Sequence, residues 1–275
     1  MSPFGRDELA AVAGLMRQAS LAEILPRFHA GDRGDVRQKT SLLDLVTDTD
    51  LAAERMLTEG LQRLFPGVPV IGEEACSADP SLLEGLDRMP SYFLVDPIDG
   101  TKNFASGLPL FGTMIAFVED DAVMAGIILD PIGDDFVMAL RGKGAWFQAR
   151  DASETRLTVA EARPVAEMVG LVSWMFLAEP LRSRVSAGMT ATLGAAEYRA
   201  AAHHYRLLAR KAYDFALWGK LMPWDHAAGS LIHAEAGGYN ARFDGSAYRP
   251  SLTAGGLLAA PDEASWRALH ATLLA

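Results

Sequence analysis

The stretch FGTMIAFVEDDAVMAGIILDPIGDDFVMALRGKGAWF, Phe111 to Phe147, decides the fold class. Four runs rich in β-formers, Phe111–Val118, Ala122–Leu129, Phe136–Leu140 and Ala145–Phe147, are divided by turn signals at Glu119–Asp121, Asp130–Asp135 and Gly142–Gly144. Strand-length apolar runs between Asp, Gly and Pro clusters read as an antiparallel meander. Toward the N-terminus the period changes. Leu9, Val12, Met16, Ala19 and Ile24 keep helical spacing, with Pro26 as the expected stop. A polar loop is expected from Gly31 to Thr40. Thr49 or Asp50 is then expected to cap a second helix with Ala53, Met56, Leu57, Gly60, Leu61 and Leu64 on one face, closed by Pro66 and Gly67. Val68–Ile71 and Tyr92–Val95 are short apolar runs that stop at acids. Beyond the meander, helices and short strands mix, and Asp225 is expected to open a helix that Gly237 and Gly238 close. Together these elements predict a layered α+β, or mixed α/β, sandwich. Two closely packed subdomains are expected, 1–150 and 151–275, because no Pro/Gly/Ser-rich spacer marks the seam near Arg150.

Composition sets limits on function. The 275 residues exceed the usual ~100–200 per domain. With half of them hydrophobic, a chain this long buries roughly three quarters of its unfolded surface, which excludes a disordered or fibrous protein. The formal charge of −10 argues against a nucleic-acid surface, which needs a basic field. Cys76 stands alone, so neither an intrachain disulfide nor a thiolate zinc site is expected, and a reducing, cytoplasmic setting fits. Arg6, Asp7 and Glu8 interrupt the apolar core a signal peptide needs, and runs such as Val123–Leu129 are too short to span a bilayer. No membrane partner is expected.

The acids are concentrated in Asp96-Pro97-Ile98-Asp99-Gly100-Thr101-Lys102-Asn103-Phe104. An apolar strand delivers Asp96 to its end, and Asp99 follows three residues later. Two carboxylates and the Ile98 carbonyl between them form a hard-oxygen pocket suited to Mg²⁺. The N–H groups after Gly100 suit a phosphate. Asp-Pro and Asp-Gly are also ordinary turn dipeptides, so a plain capped turn fits the same residues. Glu73-Glu74 ends another expected strand, and Asp225 sits at a helix start; a solvated turn and an N-cap are their plainer readings.

Asp44-Leu45-Val46-Thr47-Asp48-Thr49-Asp50, Gly72-Glu73-Glu74, the 96–104 loop and Trp224-Asp225-His226-Ala227-Ala228-Gly229 occur in that order. Gly126-Ile127-Ile128-Leu129-Asp130-Pro131, Arg141-Gly142-Lys143-Gly144-Ala145-Trp146 and Glu235-Ala236-Gly237-Gly238 accompany them. Together, over about residues 36 to 262, they resemble the inositol monophosphatase family of Mg²⁺-dependent, lithium-sensitive sugar phosphatases. The resemblance implies an α-β-α-β-α sandwich, a homodimer and two or three Mg²⁺ per site. It implies that Glu73, Asp96 and the Ile98 carbonyl hold one ion, with Thr101 close by. Asp96, Asp99 and Asp225 would hold a second, and Glu73 would help place a third. Thr101 with Asp50 would polarise the attacking water, Gly100 and Thr101 would hold the phosphate, and Lys39 would stand near the metals. Independently of any family, four carboxylates sharing one cavity repel each other unless cations neutralise them.

On the substrate side the pattern departs. The family usually carries Arg-x-x-Gly-Ser/Thr before a helix, and an acid seven residues ahead of the Asp of Trp-Asp. Here Tyr198-Arg199-Ala200-Ala201-Ala202-His203-His204-Tyr205-Arg206 lacks the Gly-Ser, and Trp218 takes the place of the acid. Indole donates a hydrogen bond but cannot accept one from a polyol, though it can stack on a ring. Arg199, His203 and Trp218 are the expected substrate-side residues. The expected activity is hydrolysis of a small phosphorylated metabolite: inositol phosphate or another sugar phosphate, histidinol phosphate, or 3′-phosphoadenosine 5′-phosphate. A regulatory or scaffold protein that keeps the fold is the alternative of a different class.

Overall fold

The computed structural model describes residues 4–31, 36–41 and 44–275, without the side chains at 39–41 and 44. α1 (Arg6–Ala19) continues through a π-helical segment, Ser20–Ile24, into α2 (Leu25–Ala30). Pro26 therefore does not stop the helix as expected. It stands in the first turn of α2, where its missing N–H is not needed. The expected loop gives way at Arg37 to β1 (Arg37–Ser41), paired antiparallel with β2 (Asp44–Val46); positions 32–35 lie outside the described residues. α3 (Asp48–Leu64) is capped by Thr47, not by Thr49 or Asp50.

Next come β3 (Val70–Gly72), α4 (Glu73–Ala78), β4 (Ser91–Asp99) and α5 (Thr101–Ser106). The meander follows as expected: β5 (Gly112–Glu119), β6 (Ala122–Asp130), β7 (Asp135–Leu140) and β8 (Gly144–Gln148), extended by β9 (Glu154–Arg156). These strands form one seven-stranded sheet in chain order, antiparallel except where β3 runs parallel to β4. The remainder holds β10 (Val169–Ser173), α6 (Leu181–Gly188), β11 (Gly194–Ala196), α7 (Ala201–Ala209), β12 (Phe215–Trp218), α8 (Pro223–Glu235), β13 (Tyr239–Arg242), β14 (Leu257–Ala260) and α9 (Glu263–Leu273). Its strands make a second sheet of five, in the order β11-β10-β12-β14-β13.

The period of two along each strand assigns the layers. Phe93, Val95, Ile115 and Phe117 face a core shared with Leu9, Met16, Leu57 and Leu61 of α1 and α3. Their neighbours Leu94, Met114 and Ala116 face the opposite way, into a core shared with Tyr205 of α7 and Ala228, Leu231 and Ile232 of α8. That middle core also takes Ala216, Trp218, Leu257 and Ala259 from the second sheet, so it joins residues on both sides of position 150. The alternate residues Phe215, Leu217, Leu258 and Ala260 pack against Trp266 and Leu269 of α9. The result is the expected α-β-α-β-α sandwich. Each fully buried Leu or Phe contributes roughly 1.5–3 kcal/mol. The middle layer is tight: a Cβ on Gly126 of β6 would lie 2.5 Å from the Ala228 carbonyl oxygen of α8. Among the described residues no helix is long and apolar enough to cross a membrane.

Candidate active site

The site forms where β4 leaves the sheet. Asp96 pairs with Met114 and Asp99 with Gly112, so three steps along β4 match two along β5. Residues three apart on a regular strand face opposite ways; the one extra residue of this bulge turns Asp99 to the side that Asp96 already occupies. Pro97 cannot donate to the ladder, and its carbonyl accepts the Thr113 hydroxyl at 2.9 Å. Tyr92, Leu94 and Asp96 share the parity that faces the middle layer, so the acid points toward α8. Gly100 then adopts φ +88° as the N-cap of α5, a conformation glycine takes without penalty.

Three other elements meet this loop. At the start of α3, Thr47 N–H and Thr47 Oγ1 donate to Asp50 Oδ2 at 2.8 and 2.5 Å, which leaves Oδ1 for the Thr101 hydroxyl at 3.0 Å. Burial pushes the Asp50 carboxyl up to about 6, against the lowering effect of the Thr47 hydrogen bonds. Glu73 is the first residue of α4. The carboxylate of Glu54, on the buried face of α3, accepts the N–H groups of Glu74 at 2.7 Å and Ala75 at 2.9 Å and so fixes that helix start. Asp225 is the third residue of α8, behind Met222 at the N-cap, rather than the residue that opens the helix.

Carboxylate oxygens of Glu73, Asp96 and Asp225 lie within 4.8 Å of one another. Asp96 is 1% exposed and Asp99 8%. The donor set fits Mg²⁺: three hard carboxylates converge, and among the described residues no His or Cys joins the group. Asp99 lines the same cleft, and its two oxygens accept Ala201 N–H at 3.1 Å and Ala202 N–H at 2.7 Å, capping α7. Burial first, then the charge of Asp225, pushes its carboxyl well above the usual range. A cation in this cluster relieves that repulsion. Ile98 lines the cleft as well, and its carbonyl lies 3.0 Å from Thr101 Oγ1.

The substrate side differs in part from expectation. Trp218, 4% exposed, is already stacked on Tyr205 at 4.5 Å, so that face is not offered to a ligand, although the residue lines the cleft. His203 turns to the Phe111 carbonyl at 3.1 Å and is not among the cleft-lining residues; His204 is. Arg199 lines the cleft. The Lys39 side chain lies outside the described residues. Cys76 is buried, and burial pushes its thiol up to about 12, which makes it inert. Sequence reasoning missed Glu54 and Glu197, and of the adjacent pair His203 and His204 it chose His203 for the substrate side, whereas His204 is the one that lines the cleft. Glu54 carried a signal, an acid on the apolar face of α3, whereas Glu197 sits in an irregular segment with none.

The description "Inositol monophosphatase family" belongs to the family model that matches residues 6–275. A fructose-1,6-bisphosphatase/inositol-1-monophosphatase of Thermotoga maritima is 32% identical over 221 residues, covering 79% of each chain. A histidinol-phosphatase of Mycobacterium tuberculosis is 34% identical over 207 residues, 74% of this chain and 75% of that protein. The solved structure of a T. maritima IMPase matches with a TM-score of 0.80 and 25% identity, over 97% of this chain and 98% of that one. The chain belongs to the inositol monophosphatase family. It is a phosphoric monoester hydrolase.

Proposed function

We propose that the protein hydrolyses a small phosphate monoester with the help of two or three Mg²⁺ ions held by Glu73, Asp96, Asp99, Asp225 and the Ile98 carbonyl. The convergence of Glu73, Asp96 and Asp225 beside the Thr101–Asp50 pair carries this reading. Mg²⁺ bound there supplies charge neutralisation for the phosphate and a lowered pKa for water. The rest falls to the chain. The Thr101 hydroxyl donates a hydrogen bond to Asp50 Oδ1, which leaves its lone pairs to accept one from the attacking water. Glu73 stands at the same opening and helps to place that water. Gly100 and Thr101, at the start of α5, face the cleft and are assigned the phosphate. No protein nucleophile is involved. The buried, lone Cys76 supports a cytoplasmic setting, and the family supports a homodimer.

The test is phosphate release from a broad panel of phosphate monoesters with added Mg²⁺. Turnover on one or more is expected, and silence on all of them would sink the reading.

A further inference from the structure

Arg199 adopts φ +55°, in the left-handed region that a non-glycine residue occupies at a cost of about 1–3 kcal/mol. Glycine would sit there freely. Such a conformation persists only where the surroundings enforce it, and here they do so from both sides. From the metal loop, Asn103 Nδ2 donates to the Tyr198 carbonyl at 2.7 Å, and Asp99 holds the N–H groups of Ala201 and Ala202. From the opposite side, Glu197 Oε1 accepts Arg199 N–H at 2.6 Å.

Glu197 is itself fixed. Trp218 Nε1–H, which can only donate, makes a hydrogen bond to His204 Nδ1 at 3.1 Å. With Nδ1 accepting, the ring proton sits on Nε2, which lies 3.3 Å from Glu197 Oε1. The 3.3 Å approach of Tyr198 N–H to that same nitrogen is consequently a contact between two donors rather than a hydrogen bond. Burial tends to raise the Glu197 carboxyl, but His204, Ser173 and Arg199 N–H together hold it below the usual range. Trp218, His204 and Glu197 thus form one chain of contacts that ends on the backbone of Arg199.

Arg199 lines the cleft together with Asp96 and Asp225, and Lys220 lines the same cleft. The carboxylate wall takes the metals and the phosphate being cleaved, so these cations meet the remainder of the substrate. A guanidinium recognises carboxylate and phosphate through two parallel N–H···O bonds. Resting on the phosphatase reading above, we propose that Arg199 is a specificity-determining residue that receives a second anionic group on the leaving alcohol, with Glu197, His204 and Trp218 as the residues that position it.

Two substrate pairs test this and separate the two sources of that anion. Fructose 1,6-bisphosphate against fructose 1-phosphate adds a phosphate; 2-phosphoglycerate against glycerol 2-phosphate adds a carboxylate. The wild-type enzyme is expected to favour the extra anion in at least one pair by about tenfold or more in kcat/KM, expressed in KM. Arg199→Gly should bring that ratio close to one without lowering the melting temperature, and Arg199→Lys should fall between. Trp218→Phe, which keeps the ring but removes the N–H, should erode the same ratio. Glu197→Ala should erode it more than Glu197→Gln, which retains an acceptor for Arg199 N–H. A purely structural role would lower kcat and melting temperature for both members of a pair alike. Equal losses on both members, a ratio untouched by Arg199→Gly, or no preference in either pair would overturn the proposal. Silence of the wild-type enzyme on every member of a broad phosphate-monoester panel with Mg²⁺ would instead overturn the phosphatase reading on which it rests.

Discussion

The hydroxyl of Thr101 lies 3.0 Å from Asp50 Oδ1, on a helix start 51 residues away in the chain. Asp50 serves two ends at once. One oxygen closes the N-terminus of α3 through Thr47, and the other holds the hydroxyl that faces the acid cluster. Thr101→Val, nearly isosteric, removes the hydroxyl alone. It is expected to lower kcat by about 10²–10⁴, the range for a lost proton-handling group, with KM changed far less. Steady-state kinetics on any accepted monoester check it, and a wild-type kcat would remove Thr101 from the reaction.

Glu54, on α3, sets where Glu73 stands. Its carboxylate holds the Glu74 and Ala75 N–H groups in the first turn of α4, and a Cβ on Gly72 would collide with it at 2.3 Å. Glu54→Ala leaves those N–H groups unsatisfied, at about 1–3 kcal/mol. Loss of a residue that orients a ligand typically costs ~10–100-fold in metal affinity. Thermal melting together with calorimetric Mg²⁺ titration reads both effects. Unchanged Mg²⁺ affinity in this variant would show that α4 keeps its place without Glu54.

His233 gives the stability a pH dependence whose sign follows from burial. Its ring is fully buried, and burial pushes its pKa from 6.5 down to about 4. Between those values the unfolded chain binds a proton that the native state does not, so stability falls as pH falls from 6.5 toward 4. His233→Phe should make the pH profile of denaturant unfolding shallower by up to about 1.4 kcal/mol per pH unit in that window. The raised carboxyls of Asp50 and Asp99 act with the opposite sign in both proteins and cancel in the difference. Parallel profiles for the two proteins would contradict the assignment.

The first sheet and the acid loop were legible in the sequence because each is encoded locally. The meander shows its period of two and its turns, and Asp96, Asp99, Glu73 and Asp225 all lie at ends of elements marked by Pro, Gly or an abrupt stop in the apolar run. The second sheet was not legible. Gly194–Ala196 and Phe215–Trp218 are three and four residues long, too short for a period to declare itself, and they pair only through tertiary packing. Pro26 misled because a π-helical segment before it resets the hydrogen bonding. On the substrate side, nothing local distinguishes Glu197 from a solvated acid. Its role arises only when β12 brings Trp218 and α7 brings His204 beside it.

In the proposed reaction, hydrolysis depends on a cation held by Glu73, Asp96 and Asp225. The most direct test of that dependence is the initial rate of phosphate release from p-nitrophenyl phosphate as Mg²⁺ is added back to chelator-treated protein, wild type beside Asp96→Asn. The expected result is no release without Mg²⁺, saturable recovery in the wild type, and none in Asp96→Asn, whose circular dichroism and metal-free melting temperature match the wild type. Turnover in the presence of chelator, or wild-type recovery in Asp96→Asn, would contradict it.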